Sequence, residues 1–232
     1  DTISPSITAL AAGELSPFSF YTFQELKGVQ KILANIVSYE ATELVRANLD
    51  FSGITLWYAS SFKDVYLSGN ITNHNNQPVK INSLAAILRD TDGAIVSANT
   101  AFPFINHLNP GSSAPFSILL NAPFGEGASL TNYSLYLDAE TSGNATVYDL
   151  ITAEDHYGYL DAYDDFHLVG TITNHSSTSL NTRLIAGIFD EKGNCIDSSS
   201  LYLPVAIGAG EIMPYDFDLW GALDSSEDAY NA

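Results

Sequence analysis

Several short stretches of the chain alternate apolar and polar residues with period two, the pattern of half-buried β-strands. Val65, Leu67, Gly69 and Ile71 fall on one face, and so do Phe166, Leu168, Gly170 and Ile172. Near the end of the chain Tyr215, Phe217 and Leu219 alternate with Asp216 and Asp218. Phe18 and Phe20 alternate with Pro17 and Ser19, and Ile54, Leu56 and Tyr58 predict an edge or connecting strand. One stretch reads differently. Leu26, Val29, Leu33 and Ile36 have helical spacing and predict a short helix over about residues 24–32.

The strands are organised by repetition. Leu67-Ser68-Gly69-Asn70-Ile71-Thr72-Asn73-His74 returns about 101 positions later as Leu168-Val169-Gly170-Thr171-Ile172-Thr173-Asn174-His175. An apolar run and a turn follow each copy: Leu84 to Leu88 with Asp90-Thr91-Asp92-Gly93, then Leu184 to Phe189 with Asp190-Glu191-Lys192-Gly193. Gly at positive φ and an Asp bonding the turn backbone make both into hairpins. Beyond the turn, Asn109-Pro110-Gly111 with Pro115-Phe116 matches Gly208-Ala209-Gly210 with Pro214-Tyr215. The same loop and strand stand near the start, as Ala12-Gly13 and Pro17-Phe18. Self-similarity at a fixed period indicates one module used in tandem. The mid-strand Gly69 and Gly170 predict a bulge or a close approach by a neighbouring chain segment.

The order G-x-I-x-N, apolar strand, Asp-x-x-Gly turn, second strand, P-G loop and P-F strand resembles the FxLYD family of secreted prokaryotic β-sandwich modules. The resemblance covers about residues 60–140 and 160–220, with the tail of a further copy before residue 45. The name-giving Leu-Tyr-Asp stands here as Leu88-Arg89-Asp90 and Ile188-Phe189-Asp190, so the match lies in the pattern rather than the letters. It implies a cell-surface location and brings no chemistry. The expected fold is all-β: tandem immunoglobulin-like antiparallel sandwiches. The expected division is a partial repeat at 1–45, a whole repeat at 46–145 and a second repeat at 146–232 without its last strand. Asn35, Ile36, Val37, Ser38 and Tyr39 align with the strand Tyr133–Leu137. They are the expected assembly strand, donated by one subunit to the last repeat of the next in a homopolymer.

Composition narrows the partners. Eight Lys and Arg against 27 Asp and Glu give a net charge of −19. That balance excludes nucleic acid, whose phosphates require clustered basic side chains, and disfavours anionic membranes. No run approaches the apolar length of a membrane span. The lone Cys195 lies in an apolar strand and reads as a small core residue.

Candidate chemistry gathers between the repeats. Glu154, Asp155, Asp161, Asp164 and Asp165 crowd an acidic linker, and carboxylate oxygens are the ligands a structural Ca²⁺ takes. Tyr148, Tyr157, Tyr159 and Tyr163 stand among them and could form an aromatic platform for a surface polysaccharide. Asn70, Asn132, Asn144 and Asn174 begin glycosylation sequons. His74 and His175 occupy equivalent turn positions without the partners a metal or a catalytic step demands. No nucleophile elbow, phosphate loop or dinucleotide fingerprint occurs, so no enzyme is expected.

Overall fold

A computed structural model describes residues 10, 15–18, 35, 36, 38, 40, 47–59, 64–101, 103–120, 132–143, 150–163 and 165–219. These residues form twelve strands and no helix. In chain order they are β1 (Leu49–Ala59), β2 (Asp64–Asn73), β3 (Val79–Arg89), β4 (Ile95–Ala101), β5 (His107–Leu108) and β6 (Ser113–Leu120). Then follow β7 (Asn132–Thr141), β8 (Ile151–Leu160), β9 (Phe166–Asn174), β10 (Arg183–Phe189), β11 (Cys195–Tyr202) and β12 (Ile212–Leu219). All pairings between strands are antiparallel. Among the described residues no helix is long and apolar enough to cross a membrane.

The expected helix over 24–32 lies outside the described residues. Of the predicted assembly strand, Asn35, Ile36 and Ser38 are exposed and belong to no strand, while Val37 and Tyr39 lie outside the described residues. Pro17 is buried and Phe18 half-exposed, again in no strand.

One three-stranded arrangement occurs twice. In the sheet β1-β2-β6, Leu67 pairs with Ile118 and Gly69 with Phe116. In the sheet β8-β9-β12, Leu168 pairs with Phe217 and Gly170 with Tyr215. The two glycines share a cause. A Cβ on Gly69 would strike Ile54 and the Phe116 ring, and one on Gly170 would lie 2.7 Å from the Tyr215 hydroxyl. Each glycine also stands opposite a register shift in the neighbouring strand, between Ser52 and Thr55 of β1 and between Glu154 and Tyr157 of β8, so the expected bulge and the close approach occur together.

Opposite the first sheet, β3 carries β4 and the short β5 on one edge and β7 on the other. The inward faces enclose Val65, Leu67, Ile71, Leu84, Leu88, Phe116, Ile118 and Leu120, all at or near zero exposure. Alternation of burial along β6 shows one face in the core and one outside it. Opposite the second sheet, among the described residues, stands only the hairpin β10-β11. Its core holds Ile172, Ala186, Ile207, Tyr215 and Phe217.

The stretch read as an acidic linker is a strand. β8 pairs with β9 from Ile151↔Asn174 to Leu160↔Phe166, as β1 pairs with β2. Most of its side chains are exposed, so backbone hydrogen bonds rather than apolar alternation hold it in the sheet.

Candidate functional site

The four described acids of the sequence reading fall at two separate places. Glu154 and Asp155 sit in the middle of β8, at a register shift where Asp155 adopts a φ of 51°. Asp161 and Asp165 belong to the β8–β9 turn, and Asp164 lies outside the described residues. Six residues of extended chain separate Asp155 from Asp161, on the order of 20 Å at about 3.3 Å per residue. The Asp161 carboxylate is already engaged, accepting the N–H groups of Tyr163 (2.8 Å) and Asp165 (3.0 Å). Among the described residues no three His, Cys, Asp or Glu gather closely enough to hold a metal ion.

Two of the four tyrosines do meet. The rings of Tyr157 and Tyr159 stack at 6.4 Å, and Tyr159 stacks in turn on His167 at 5.1 Å. Tyr163 is largely exposed on the turn, and Tyr148 lies outside the described residues. His167 Nδ1 stands 2.9 Å from Asp216. That hydrogen bond raises the imidazole above its ordinary value, against some desolvation and with help from the charges of Asp216, Asp218 and Asp161.

The equivalent position on the first sheet is covered. There Trp57 stacks on Tyr66 at 4.4 Å, and β11 packs over β1, β2 and β6. Trp57 Nε1 donates to Ser68 Oγ (3.3 Å), and Ser68 shares a hydrogen bond with Ser117 (3.1 Å). Ser117 in turn bonds the Asp197 carboxylate of β11, which also accepts the Ser198 N–H at 2.7 Å. Burial pushes Asp197 up to about 6, against those two hydrogen bonds. Beside it, burial and the Asp197 charge push the Cys195 thiol up to about 12, leaving it inert as a nucleophile. The sequence reading missed this polar seam. Its one visible signal was an Asp in mid-strand two residues after a buried cysteine.

The repeated Thr-Asn-His has a structural explanation. Asn73 and Asn174 are fully buried. Asn73 Nδ2 donates to the carbonyls of Gln77 (3.0 Å) and Leu108 (2.9 Å). Asn174 Nδ2 donates to Thr178 (2.8 Å), Ile207 (2.9 Å) and Gly208 (3.0 Å), while its Oδ1 accepts the Ser176 N–H (2.9 Å). Each asparagine thus closes the turn after its strand and ties it to the loop before the last strand of the sheet. His74 reaches Asp50 (3.1 Å) and His175 reaches Thr152 (2.8 Å), fastening the turns to the edge strands β1 and β8.

These bonds also correct one sequon. Asn174 has no free amide and no space for a glycan in the folded protein. Asn132 is exposed at the start of β7, Asn70 is half-buried in β2, and Asn144 lies outside the described residues.

The remaining feature is an unequal pair of edges. β7 covers one edge of β3 from Val79↔Thr141 to Arg89↔Asn132, and Leu135 and Leu137 pack on the core beneath. β10, the counterpart of β3, pairs only with β11 among the described residues. The second core shows the consequence. Leu67, Leu84 and Leu88 are fully buried, whereas their equivalents Leu168, Leu184 and Ile188 are only partly so. No protein-family model matches the chain, and no curated protein matches it.

Proposed function

We propose that this chain is an extracellular structural subunit of a cell-surface filament, sheath or layer, built head-to-tail through β-strand contacts. Its tandem FxLYD-type sandwiches serve as building blocks, and the role is non-catalytic. The observation that carries this reading is the partial burial of the second core beside an edge of β10 that no described strand covers. Unpaired backbone N–H and C=O groups along such an edge are a template for another strand. A contact between two different surfaces of like subunits is heterologous, and unless it closes into a ring it propagates into a fibre. The net charge of −19 fits a hydrated outer surface with no polyanionic ligand. Sedimentation velocity across a range of concentrations, with negative-stain microscopy of the same samples, tests the reading. Filaments or sheets are expected, and a monomer at every concentration would overturn it.

A second reading rests on Tyr157, Tyr159 and His167, whose rings stack in a row across β8 and β9, with Tyr157 the most exposed. Exposed aromatic rings can stack on sugar rings, with Asp216 beside them to accept hydroxyl hydrogen bonds. In that case the chain is a carbohydrate-binding module of a larger adhesin. Retention of a monomer on a polysaccharide column, lost in Tyr157→Ala, would select it.

A further inference from the structure

We infer that the edge of β10 left unpaired by every described strand receives residues 35–40 of a second copy of this chain, antiparallel and in the register that β7 adopts on β3. The inference rests on the assembly reading and names the partner segment that the reading leaves open.

The register follows from the first sandwich. There Ser83 pairs with Asp138, Leu84 with Leu137, Ala86 with Leu135, Ile87 with Ser134 and Leu88 with Tyr133. Carrying each position to its repeat equivalent sets Arg183 opposite Glu40, Leu184 opposite Tyr39, Ile185 opposite Ser38, Ala186 opposite Val37, Gly187 opposite Ile36 and Ile188 opposite Asn35.

Three features of these pairs fit. Val37 and Tyr39 take the places of Leu135 and Leu137, the two β7 side chains that complete the first core, so they fall over the partly bare Leu184 and Ile188. Ile87 faces Ser134 in the first sandwich, and the order of large and small is reversed where Gly187 faces Ile36. The half-exposed Phe189 ring folds over Gly187, within 3.0 Å of where a Cβ would stand, and offers Ile36 an apolar seat. Arg183 meets Glu40, an opposite charge. Its guanidinium lies against the Phe104 and Tyr202 rings and donates to the Phe104 carbonyl, while its buried Nε has no hydrogen-bond partner. Cross-strand pairs of opposite charge stabilise an antiparallel ladder.

The donor comes from another copy because the described residues of the chain's own segment pair with no strand. Asn35, Ile36, Ser38 and Glu40 are exposed and unpaired with any strand, and Ile36 is 85% exposed, more than any other large apolar side chain described.

Disulfide trapping in the full-length chain tests both the donor and the register. Cys195 is the sole native cysteine and is buried, so it leaves the background clean. Val37→Cys and Ala186→Cys are placed on separate chains, as are Ser38→Cys and Ile185→Cys, because one pair of the two occupies the site type that favours a cross-strand disulfide. Mixing under mild oxidation is expected to give a disulfide-linked dimer from at least one of these combinations, and none from Val37→Cys mixed with Ile188→Cys. No dimer from either matched pair, or equal yield from the offset pair, would overturn the inference. A deletion of residues 1–45 separates the two levels. Loss of polymer in the truncated chain supports the donor. Polymer that persists unchanged overturns the donor but spares the assembly reading. An intact chain that never polymerises overturns both.

Discussion

Protonating Asp197 should strengthen the joint between the two sandwiches. The carboxyl is 5% exposed on β11 and packed against Ser117 of β6, with the buried thiol of Cys195 beside it and, among the described residues, no cationic partner. Desolvation raises it from 3.8 to about 6, despite the hydrogen bonds from Ser198 and Ser117. That gap corresponds to about 3 kcal/mol between the protonated and ionised folded forms, at about 1.4 kcal/mol per tenfold. For a raised acid the folded state binds the proton more tightly than the unfolded chain. Stability therefore increases as pH falls through about 6 and levels off below the unfolded value near 4. Asp197→Asn keeps the shape and the acceptor for Ser198 but removes the buried charge. At pH 7.5 the variant should be the more stable by up to about 3 kcal/mol, or about 6–12 °C in Tm at about 2–4 °C per kcal/mol for a chain of this size. By about pH 3, below both the folded and the unfolded values, the two curves should converge. Differential scanning calorimetry at half-unit pH steps measures the difference. General relief of acidic repulsion is common to both proteins and cancels, as does the titration of His167. Parallel Tm profiles from pH 7.5 to 4.5 would refute the reasoning, because they would mean that Asp197 is solvated in the folded chain.

Replacing Asn174 with Ala removes the donor to three buried carbonyls and the acceptor for the Ser176 N–H. It should cost about 3 kcal/mol or more, read from the urea midpoint; a loss below about 1 kcal/mol would show that water replaces the amide. Asp216→Asn should return the His167 imidazole toward its ordinary range, since its largest cause is the bond to Asp216. An NMR titration of the ring protons that does not move would remove Asp216 from that role. Millimolar Ca²⁺ should leave the melting temperature where a chelator sets it. A rise of several degrees would mean that the β8 and turn acids meet at one ion after all. Expressed in a host that glycosylates sequons, the chain should carry glycan at Asn132 and none at Asn174, as peptide mass mapping would show.

What the sequence disclosed depended on which physical force holds each element. Strands β2, β6, β9 and β12 bury one face, so Leu67, Phe116, Ile172 and Phe217 recur with period two and are readable directly. The hairpin turns were readable because Asp90 and Asp190 each accept two backbone N–H groups before a glycine at a φ of 83° or 81°. β8 was not, because its acids and tyrosines face solvent and only the backbone ladder orders it. The four described acids of the Ca²⁺ expectation are spread out for the same reason: an extended strand separates neighbouring residues along its length. Asp197 escaped because its environment is made by Ser117, about 80 positions away in the chain. Residues 35–39 have strand-forming composition, and the described ones lie in no strand, as expected of a segment without an edge to pair with.

The two outer sheets show what a module gains from its neighbour. On β1-β2-β6 the Trp57–Tyr66 stack and the Ser68–Ser117 pair are covered by β11, and polar groups that would otherwise be hydrated become a buried, hydrogen-bonded seam. On β8-β9-β12 the corresponding Tyr159–His167 stack is open and carries Asp216 and Asp218 at its edge. Chemistry at equivalent positions has diverged with exposure: Ser117 under a cover, Asp216 without one. A buried Asp216 would bear the desolvation cost seen at Asp197, unless His167 held the proton between them. The imidazole, raised above its ordinary value by the Asp216 hydrogen bond, holds that proton more firmly than a free one, so a sheet face able to ionise as a His–Asp pair is better suited to water or to a polar contact than to a dry joint of the Ser68–Ser117 kind. Of the two surfaces, the strand edge of β10 rather than this face is therefore the one that the proposed head-to-tail growth would use.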